Sequence, residues 1–518
     1  MKSTALFSVY GLIAAVSAIS PPRQRRDVQP RDPGSPGEGT IAYFDQLIDH
    51  SNPSLGTFKQ EYWYSTMYYD GPGAPIVFEA PGESTIGPDD IDLSNNTMTG
   101  LIAQNVRGAS ITLQHRYWGE AIPIPGNFTA ETLQYLNLNQ SIEDIVYFAR
   151  NVKLDFDPEG KSKYDVAPWL LTGCSYPGAL SAWTNALSPD TFWAYHSSSA
   201  PVQIKASLWE YYEIIEKAIP RNCSADMSRV IAHADGIIAN GTESDKISLK
   251  KSLSLPTNWS DTEVVSALSF AVTAWQGNQF YKNSSITPLC ESVENQWPGS
   301  GVSKPGPEGV GLELATKGLA RFWAKEFAKG NDVADPDDTA TDGWNWYLCN
   351  EPFEAWQVWE PKHPIGLVSK HLTRSDMIRR RCEEMYPDVG PYKYGLKNGR
   401  NVEQINALTG GWNHVNTTHL VWVNGEFDPW RPVSVSSESR PGGPLQSTEQ
   451  APVFLIPGAA HCNDYRTKNK FANEGARKAI DGVVDNMKKW VKEFYDQKAQ
   501  KPPKGSNCRP RPRRTAAN

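Results

Sequence analysis

The stretch "LTGCSYPGAL", residues 171–180, decides how this chain is read. It sets a serine, Ser175, between two close glycines, with an apolar run before it and small residues after it. A serine on a sharp turn from a buried strand into a helix has a strained backbone and an Oγ raised above the sheet, the geometry of a nucleophile elbow. The usual spacing of that turn is Gly-x-Ser-x-Gly. Here Pro177 stands at the second place after the serine, and Gly178 comes one residue later. The turn also puts the Tyr176 N–H at a helix N-terminus, where it can stabilise an oxyanion.

The flanking sequence supplies the context an elbow needs. Short apolar runs rich in strand formers occur at 74–80 ("APIVFEA"), 109–114 ("ASITLQ"), 168–173 ("PWLLTG"), 419–425 ("HLVWVNG") and 452–458 ("PVFLIPG"). They are continuously apolar rather than alternating, as strands buried on both faces of a parallel sheet are. Helical periodicity covers 130–152, with Leu133, Leu136, Ile142, Ile145 and Phe148 on the inner side, and also 178–187 and 475–497. Strand–helix alternation predicts a doubly wound α/β sheet. From about 197 to 405 the pattern changes to helical segments, such as 207–219, 226–239 and 311–330, with few strand signals. A helical cap inserted into the α/β unit explains this, because the final strands need neighbours in the same sheet. The expected division is therefore a core from 40 to 196, a cap from 197 to 405 and the rest of the core from 406 to 498.

A serine hydroxyl is a weak nucleophile until a base takes its proton and a carboxylate orients the base. On an α/β-hydrolase sheet these partners follow in the order Ser, Asp or Glu, His. Asp428, in "NGEFDPW", comes just past a predicted strand, and His461, in "PGAAHC", follows 33 residues later in the loop after the next one. Three residue types at three strand ends in the required order make a catalytic triad the reading to test.

Bulk properties bound the rest. The chain has 518 residues, a net charge of −7 and 18 tryptophans, so it can bury a large core, and its charge argues against nucleic acid as a main partner. "MKSTALFSVYGLIAAVSA" reads as a secretory signal cleaved near Ala18. Residues 19–39 read as a linker or propeptide carrying the dibasic pair Arg25-Arg26, and 499–518 as a basic, Pro-rich disordered tail. No later stretch is long and apolar enough to span a bilayer. Asn-x-Ser/Thr sequons at Asn95, Asn127, Asn139, Asn222, Asn240, Asn258, Asn283 and Asn416 are read as a secreted glycoprotein's surface. The seven cysteines lack the paired short spacings of a zinc site, so no metal or cofactor is expected, and the odd count leaves at least one free.

At this point the chain resembles the serine peptidase family of lysosomal Pro-X carboxypeptidase, dipeptidyl peptidase II and fungal acid prolyl endopeptidase. The resemblance runs over about 40–500 and is carried by "YFDQLIDHSNP", "QHRYWGE" (114–120), "GCSYPG" (173–178), "NGEFDPW" (424–430) and "PGAAHCNDY" (457–465). "FWAYHSSSAP", "KPGPEGVGLE" and "YLCNEPFEAW" look most like the fungal members. It implies an α/β-hydrolase core with a helical cap, a secreted or lysosomal-type (vacuolar) location, peptide substrates and cleavage after proline at acidic pH. Carried over, Ser175 is the nucleophile, His461 the general base and acid, and Asp428 the orienting carboxylate. Tyr176 and Gly82, in "APGES", would supply the oxyanion-hole N–H groups. Glu83 takes the place of an acid that can pair with a substrate's free amine, Trp430 would wall the proline pocket, and Arg116 would bridge loops. Cys223–Cys290 and Cys349–Cys382 are the expected cap disulfides, with Cys174 and Cys462 left free.

The chain departs from the family at Cys174, where glycine is usual, and at Pro177, where serine or glycine is usual. Proline at 177 discourages helical backbone at Tyr176 and so bears on the oxyanion donor. The insertion is also shorter between about 325 and 342 than in the fungal endopeptidase. The residues leave open endo- against exopeptidase action, a carboxypeptidase or esterase without proline preference, and an inactive hydrolase-like binding protein. Oligomeric state stays open as well, a homodimer among the options.

Overall fold

The computed structural model describes residues 39–87, 91–282, 285–328 and 339–498. The expected signal peptide, the linker up to 38, the sequon at Asn283, Cys508 and the basic tail lie outside them. Eight strands form one sheet: β1 (Thr40–Leu47), β2 (Thr57–Ser65), β3 (Ile76–Glu79), β4 (Ala109–Leu113), β5 (Trp169–Cys174), β6 (Ala194–Ser198), β9 (Leu420–Gly425) and β10 (Val453–Ile456). Their order across the sheet is β1-β2-β4-β3-β5-β6-β9-β10. β1, β2 and β4 pair antiparallel, and every pairing from β4 to β10 is parallel. This is an α/β-hydrolase fold.

The apolar runs at its centre divide by the two-residue period of a strand. Ile76, Phe78, Trp169, Leu171, Leu420 and Trp422 face one apolar layer, and Val77, Leu170, Val421 and Val423 face the other. Helices cover both. The second layer is closed by α1 (Met98–Val106) and α13 (Glu474–Gln497). In α13 the buried positions Ala476, Ala479, Ile480, Val483, Met487, Trp490 and Phe494 recur at helical spacing, and the Asn473 side chain caps its first turn. The first layer is closed by α2 (Leu138–Asn151) and α3 (Tyr176–Leu187).

Two local readings need correction. The helical period over 130–152 is not one helix: a 3₁₀ turn at Thr132–Tyr135 stops, and α2 starts anew behind Asn137, whose side chain accepts from the Gln140 N–H. The hairpin β1–β2 and the strand β6 carry no continuous apolar run and were not among the expected strands. β6 is "AYHSS", buried throughout although three of its five residues are polar.

Between β6 and β9 the chain leaves the sheet and forms nine helices among the described residues: α4 (Glu210–Ala218), α5 (Arg221–Asn240), α6 (Glu243–Ser252), α7 (Asp261–Ala271), α8 (Thr287–Val293), α9 (Leu312–Ala328), α10 (Thr339–Asn350), α11 (Arg374–Ile378) and α12 (Val402–Thr409). Two three-residue strands, β7 (Lys205–Ser207) and β8 (Glu354–Trp356), pair in parallel within it. Cys223 bonds Cys290, tying α5 to α8, and Cys349 bonds Cys382. The free-thiol expectation for the remaining described cysteines is overturned: Cys174 and Cys462 form a third disulfide, with Cα atoms 5.9 Å apart. The two residues are 288 positions apart in sequence, and only the convergence of the β5 end with the loop after β10 brings them together.

Candidate active site

β5 ends at Cys174 and α3 begins at Tyr176, which leaves Ser175 alone on the turn with φ 66° and ψ −132°. A positive φ in a residue with a Cβ is strained and persists only where its surroundings enforce it. Here the Ser175 N–H donates to the Ser198 carbonyl at 3.0 Å, and the Ala179 N–H donates to the Ser175 carbonyl at 2.9 Å. The two glycines follow from close approach. A Cβ on Gly173 would run into the Pro177 carbonyl, and one on Gly178 would stand 2.5 Å from the Ser198 oxygen. The late second glycine is therefore set by where α3 crosses β6. Pro177 sits at the second helical position, where its missing N–H leaves no helix bond unmade, and Tyr176 is helical despite it. A Cβ on Gly82 would lie 3.5 Å from Pro177 Cγ, so the loop after β3 passes over the first turn of α3.

The sheet brings Asp428 and His461 to the same edge. Asp428 follows β9 and is fully buried. Its Oδ1 lies 2.9 Å from His461 Nδ1 and accepts the Trp430 N–H at 2.9 Å. Among the described residues His461 Nε2 is buried and has no hydrogen-bond partner. The Ser175 hydroxyl instead lies close enough to the Glu83 carboxyl to pull on its titration. Burial pushes the Glu83 carboxyl above its ordinary value, against the opposing pull of His461 and of the Ser175 hydrogen bond. Sequence placed Glu83 with the substrate; the structure sets it directly on the serine.

The His461 loop is anchored on several sides. The Ala460 N–H donates to Asn463 Oδ1 at 2.8 Å, and the Cys462 N–H donates to Ser199 Oγ at 3.0 Å. Asp464 takes the Ser198 hydroxyl on one oxygen and stands 3.0 Å from His196 Nε2 with the other. These contacts explain why β6 can be polar and buried: its side chains hold the loop after β10. The elbow's Tyr176 is held in turn by His115 Nε2 at 2.9 Å and Tyr347 at 3.0 Å through its hydroxyl. Burial pushes the His115 imidazole down to about 4, so it is neutral there.

Trp430 is partly buried, with its ring 6.4 Å from that of His461. Two residues of the insertion fix it, and neither was singled out in the sequence. Gln276 Oε1 accepts from Trp430 Nε1 at 2.9 Å and from the Tyr211 hydroxyl at 2.8 Å, while Tyr211 meets the indole edge-on at 5.6 Å. Trp275 Nε1 donates to the Phe427 carbonyl beside Asp428 at 2.8 Å. No periodicity marks Gln276, and the only signal was its place in an aromatic-rich turn. Arg116 lies away from this cluster: its guanidinium is bound to Asp144 and to the carbonyls of Leu47, Ile48 and Tyr135. Of the sequons, Asn95, Asn127, Asn139, Asn240, Asn258 and Asn416 are exposed, and Asn222 is partly buried in the first turn of α5.

A strained serine at a helix N-terminus, a histidine oriented by a buried carboxylate and glycine-spaced backbone N–H groups make up the equipment of acyl transfer. Relatives agree with that chemistry. The chain is 35% identical over 488 residues to "Serine protease vicPa" of Bipolaris victoriae, covering 88% of this chain and 90% of that protein. It is 25% identical to a "Probable extracellular serine carboxypeptidase" of Arthroderma benhamiae, over 84% of this chain and 64% of the other. It is 23% identical to "Lysosomal Pro-X carboxypeptidase" of Bos taurus, over 88% and 89%. Solved structures of an arylesterase and of the carboxylesterase EstE1 align at 10% identity with TM-scores of 0.33 and 0.35, over 92% and 93% of this chain and 90% and 95% of theirs. The sequence profile of the family described as Serine carboxypeptidase S28 matches residues 46–479. The chain thus belongs to the serine carboxypeptidase S28 family of serine peptidases.

Proposed function

We propose that this serine peptidase hydrolyses peptide bonds on the carboxyl side of proline through an acyl-enzyme on Ser175. The observation that carries the proposal is the Asp428–His461 pair, whose Nε2 has no hydrogen-bond partner among the described residues, together with a strained Ser175 at the end of β5. In the proposed cycle the Ser175 hydroxyl turns from Glu83 to His461 Nε2, which takes its proton as Oγ attacks the scissile carbonyl. Asp428 steadies the imidazolium. The Tyr176 and Gly82 N–H groups receive the oxyanion, and His461 returns the proton to the leaving amine. Water repeats the sequence to release the acid. Proline fits because its ring is flat-sided, rigid and apolar and matches the indole face of Trp430, which Tyr211 and Gln276 hold in place. The Pro-X carboxypeptidase name of the bovine relative points the same way. The leader, the sequons and the extracellular and lysosomal names of relatives support passage through a secretory compartment.

Peptides with Pro or Ala before the cleaved bond, blocked or free at each end, test this directly. The expected result is faster hydrolysis after proline; equal rates after alanine would remove the proline claim. Fluorophosphonate should label the intact protein and not Ser175→Ala, and that variant should lose activity by about 10⁶-fold. An unlabelled native protein would end the triad assignment.

A further inference from the structure

The Cys174–Cys462 disulfide joins the residue immediately before Ser175 to the residue immediately after His461. We propose that it is a reducible latch that positions the nucleophile–base pair, and that a dithiol reductant switches the enzyme off by opening it. The inference rests on the triad reading above.

The backbone on either side of the bond is strained. Ser175 has φ 66° and Cys462 has φ 57°, and Ser199, whose hydroxyl accepts the Cys462 N–H, has φ 47°. Three left-handed residues with side chains thus meet where β5, β6 and the loop after β10 end. Each needs its surroundings to hold it there. Hydrogen bonds accepted by Asp464 and Asn463 keep the loop folded, but the one covalent tie between the two proposed catalytic segments among the described residues is this disulfide. It is also the accessible one. Cys174 and Cys462 are partly exposed, whereas Cys223, Cys290, Cys349 and Cys382 are buried. Thiol–disulfide exchange requires a thiolate to reach a sulfur, so a small dithiol opens the active-site bond first.

The step balances within protein and reductant. One thiolate of the dithiol attacks a protein sulfur and expels the other as a thiolate. The second thiol of the reductant then displaces the mixed disulfide and closes on itself. Two electrons pass to the protein, leaving two cysteine thiols and a cyclic oxidised reductant. Air or an oxidised dithiol reverses the change.

The test equilibrates the full oxidised protein in dithiothreitol buffers of graded potential. A chelator is present, because the two sulfurs and His461 have ligand atoms within 4.8 Å of one another and would otherwise capture metal. Cysteines are then alkylated and mapped by mass spectrometry while kcat, KM and the thermal midpoint are measured. The expected result is a loss of kcat of about 100-fold, the scale of a 1 Å misplacement of reacting groups. It should follow the opening of Cys174–Cys462 alone, with KM little changed, both cap disulfides intact, the thermal midpoint lowered but still above the assay temperature, and activity restored on reoxidation. Full kcat with Cys174 and Cys462 alkylated, or a loss that follows only the cap disulfides, overturns the latch. The Cys174→Ala/Cys462→Ala variant should have the same low kcat and ignore dithiothreitol; native-like kcat in it overturns the latch equally. If the oxidised protein neither hydrolyses peptides nor takes fluorophosphonate, the nucleophile assignment fails and the latch falls with it. Labelled, active protein indifferent to opening overturns the latch alone.

Discussion

Glu83 sets the charge beside the serine. Burial raises its carboxyl above the ordinary value, so it takes up a proton on the acid side more readily than a free glutamic acid does. In the proposed cycle the carboxylate competes with His461 for the Ser175 proton. As the neutral acid it releases the serine to His461. The rate should therefore fall as pH rises through the Glu83 titration, a limb that His461 deprotonation cannot produce, since neutral His461 is the active base. Glu83→Gln should lose that alkaline limb in a kcat/KM profile and keep the acid one; an unchanged alkaline limb would assign it elsewhere. The placement of Ser175, Asp428 and His461 was legible because each stands at a strand end in a fixed chain order. Tyr211, Gln276 and the Cys174–Cys462 bond were not, because a residue's place in an irregular insertion, or opposite a partner hundreds of positions away, has no local pattern.

Among elements, those whose faces are apolar were read and those that are buried but polar were missed. β5 and β9 announce themselves as unbroken apolar runs. β6 does not, because His196 and Ser198 are buried on polar partners, Thr172 and Asp464, rather than in hydrocarbon. The break before α2 was hidden by matching periods on both sides of Asn137. The junction of α5 with the end of α8 carries a related polar burial. Glu294, buried near Asp226, has its carboxyl pushed up to about 7 by desolvation and then by the Asp226 charge. Its folded value exceeds the ordinary 4.5, so folding favours its protonated form. No stability is lost through it below about pH 4.5; the loss accumulates from there to about 7 and is complete above. Glu294→Gln should raise the thermal midpoint at pH 8 and change it little at pH 4.5. An equal change at both would show that the charge is not the cause.

For the molecule as a whole, one buried arginine ties distant parts together. Arg116, fully buried, makes a paired contact with Asp144 of α2 at 2.7 and 2.5 Å and reaches the carbonyls of Leu47 and Ile48 at the end of β1. Burial opposes the Asp144 charge, but the Arg116 guanidinium and then His50 hold its carboxyl below the ordinary value. Arg116→Met should destabilise by about 3 kcal/mol, because the buried Asp144 loses its guanidinium and keeps only His50 beside it. Adding Asp144→Leu should recover part of this, both read by denaturant unfolding. Fluorophosphonate labelling per folded molecule should not change, since the Arg116 guanidinium bonds Asp144 and backbone carbonyls and none of Ser175, Asp428 and His461.

The placement of the insertion has a consequence for biosynthesis. Ser175 leaves the ribosome long before Asp428 and His461, with the whole run from β7 to α12 made in between. The cap crosslinks span 67 and 33 positions and can close as that run emerges, whereas the bond flanking the catalytic pair spans 288 and must wait for the second half of the sheet. On the proposed triad, a chain that ends before His461 has no base for Ser175 and should hydrolyse nothing. On that reading the maturing protease gains its hydrolytic power only after nearly all of its own backbone has been made.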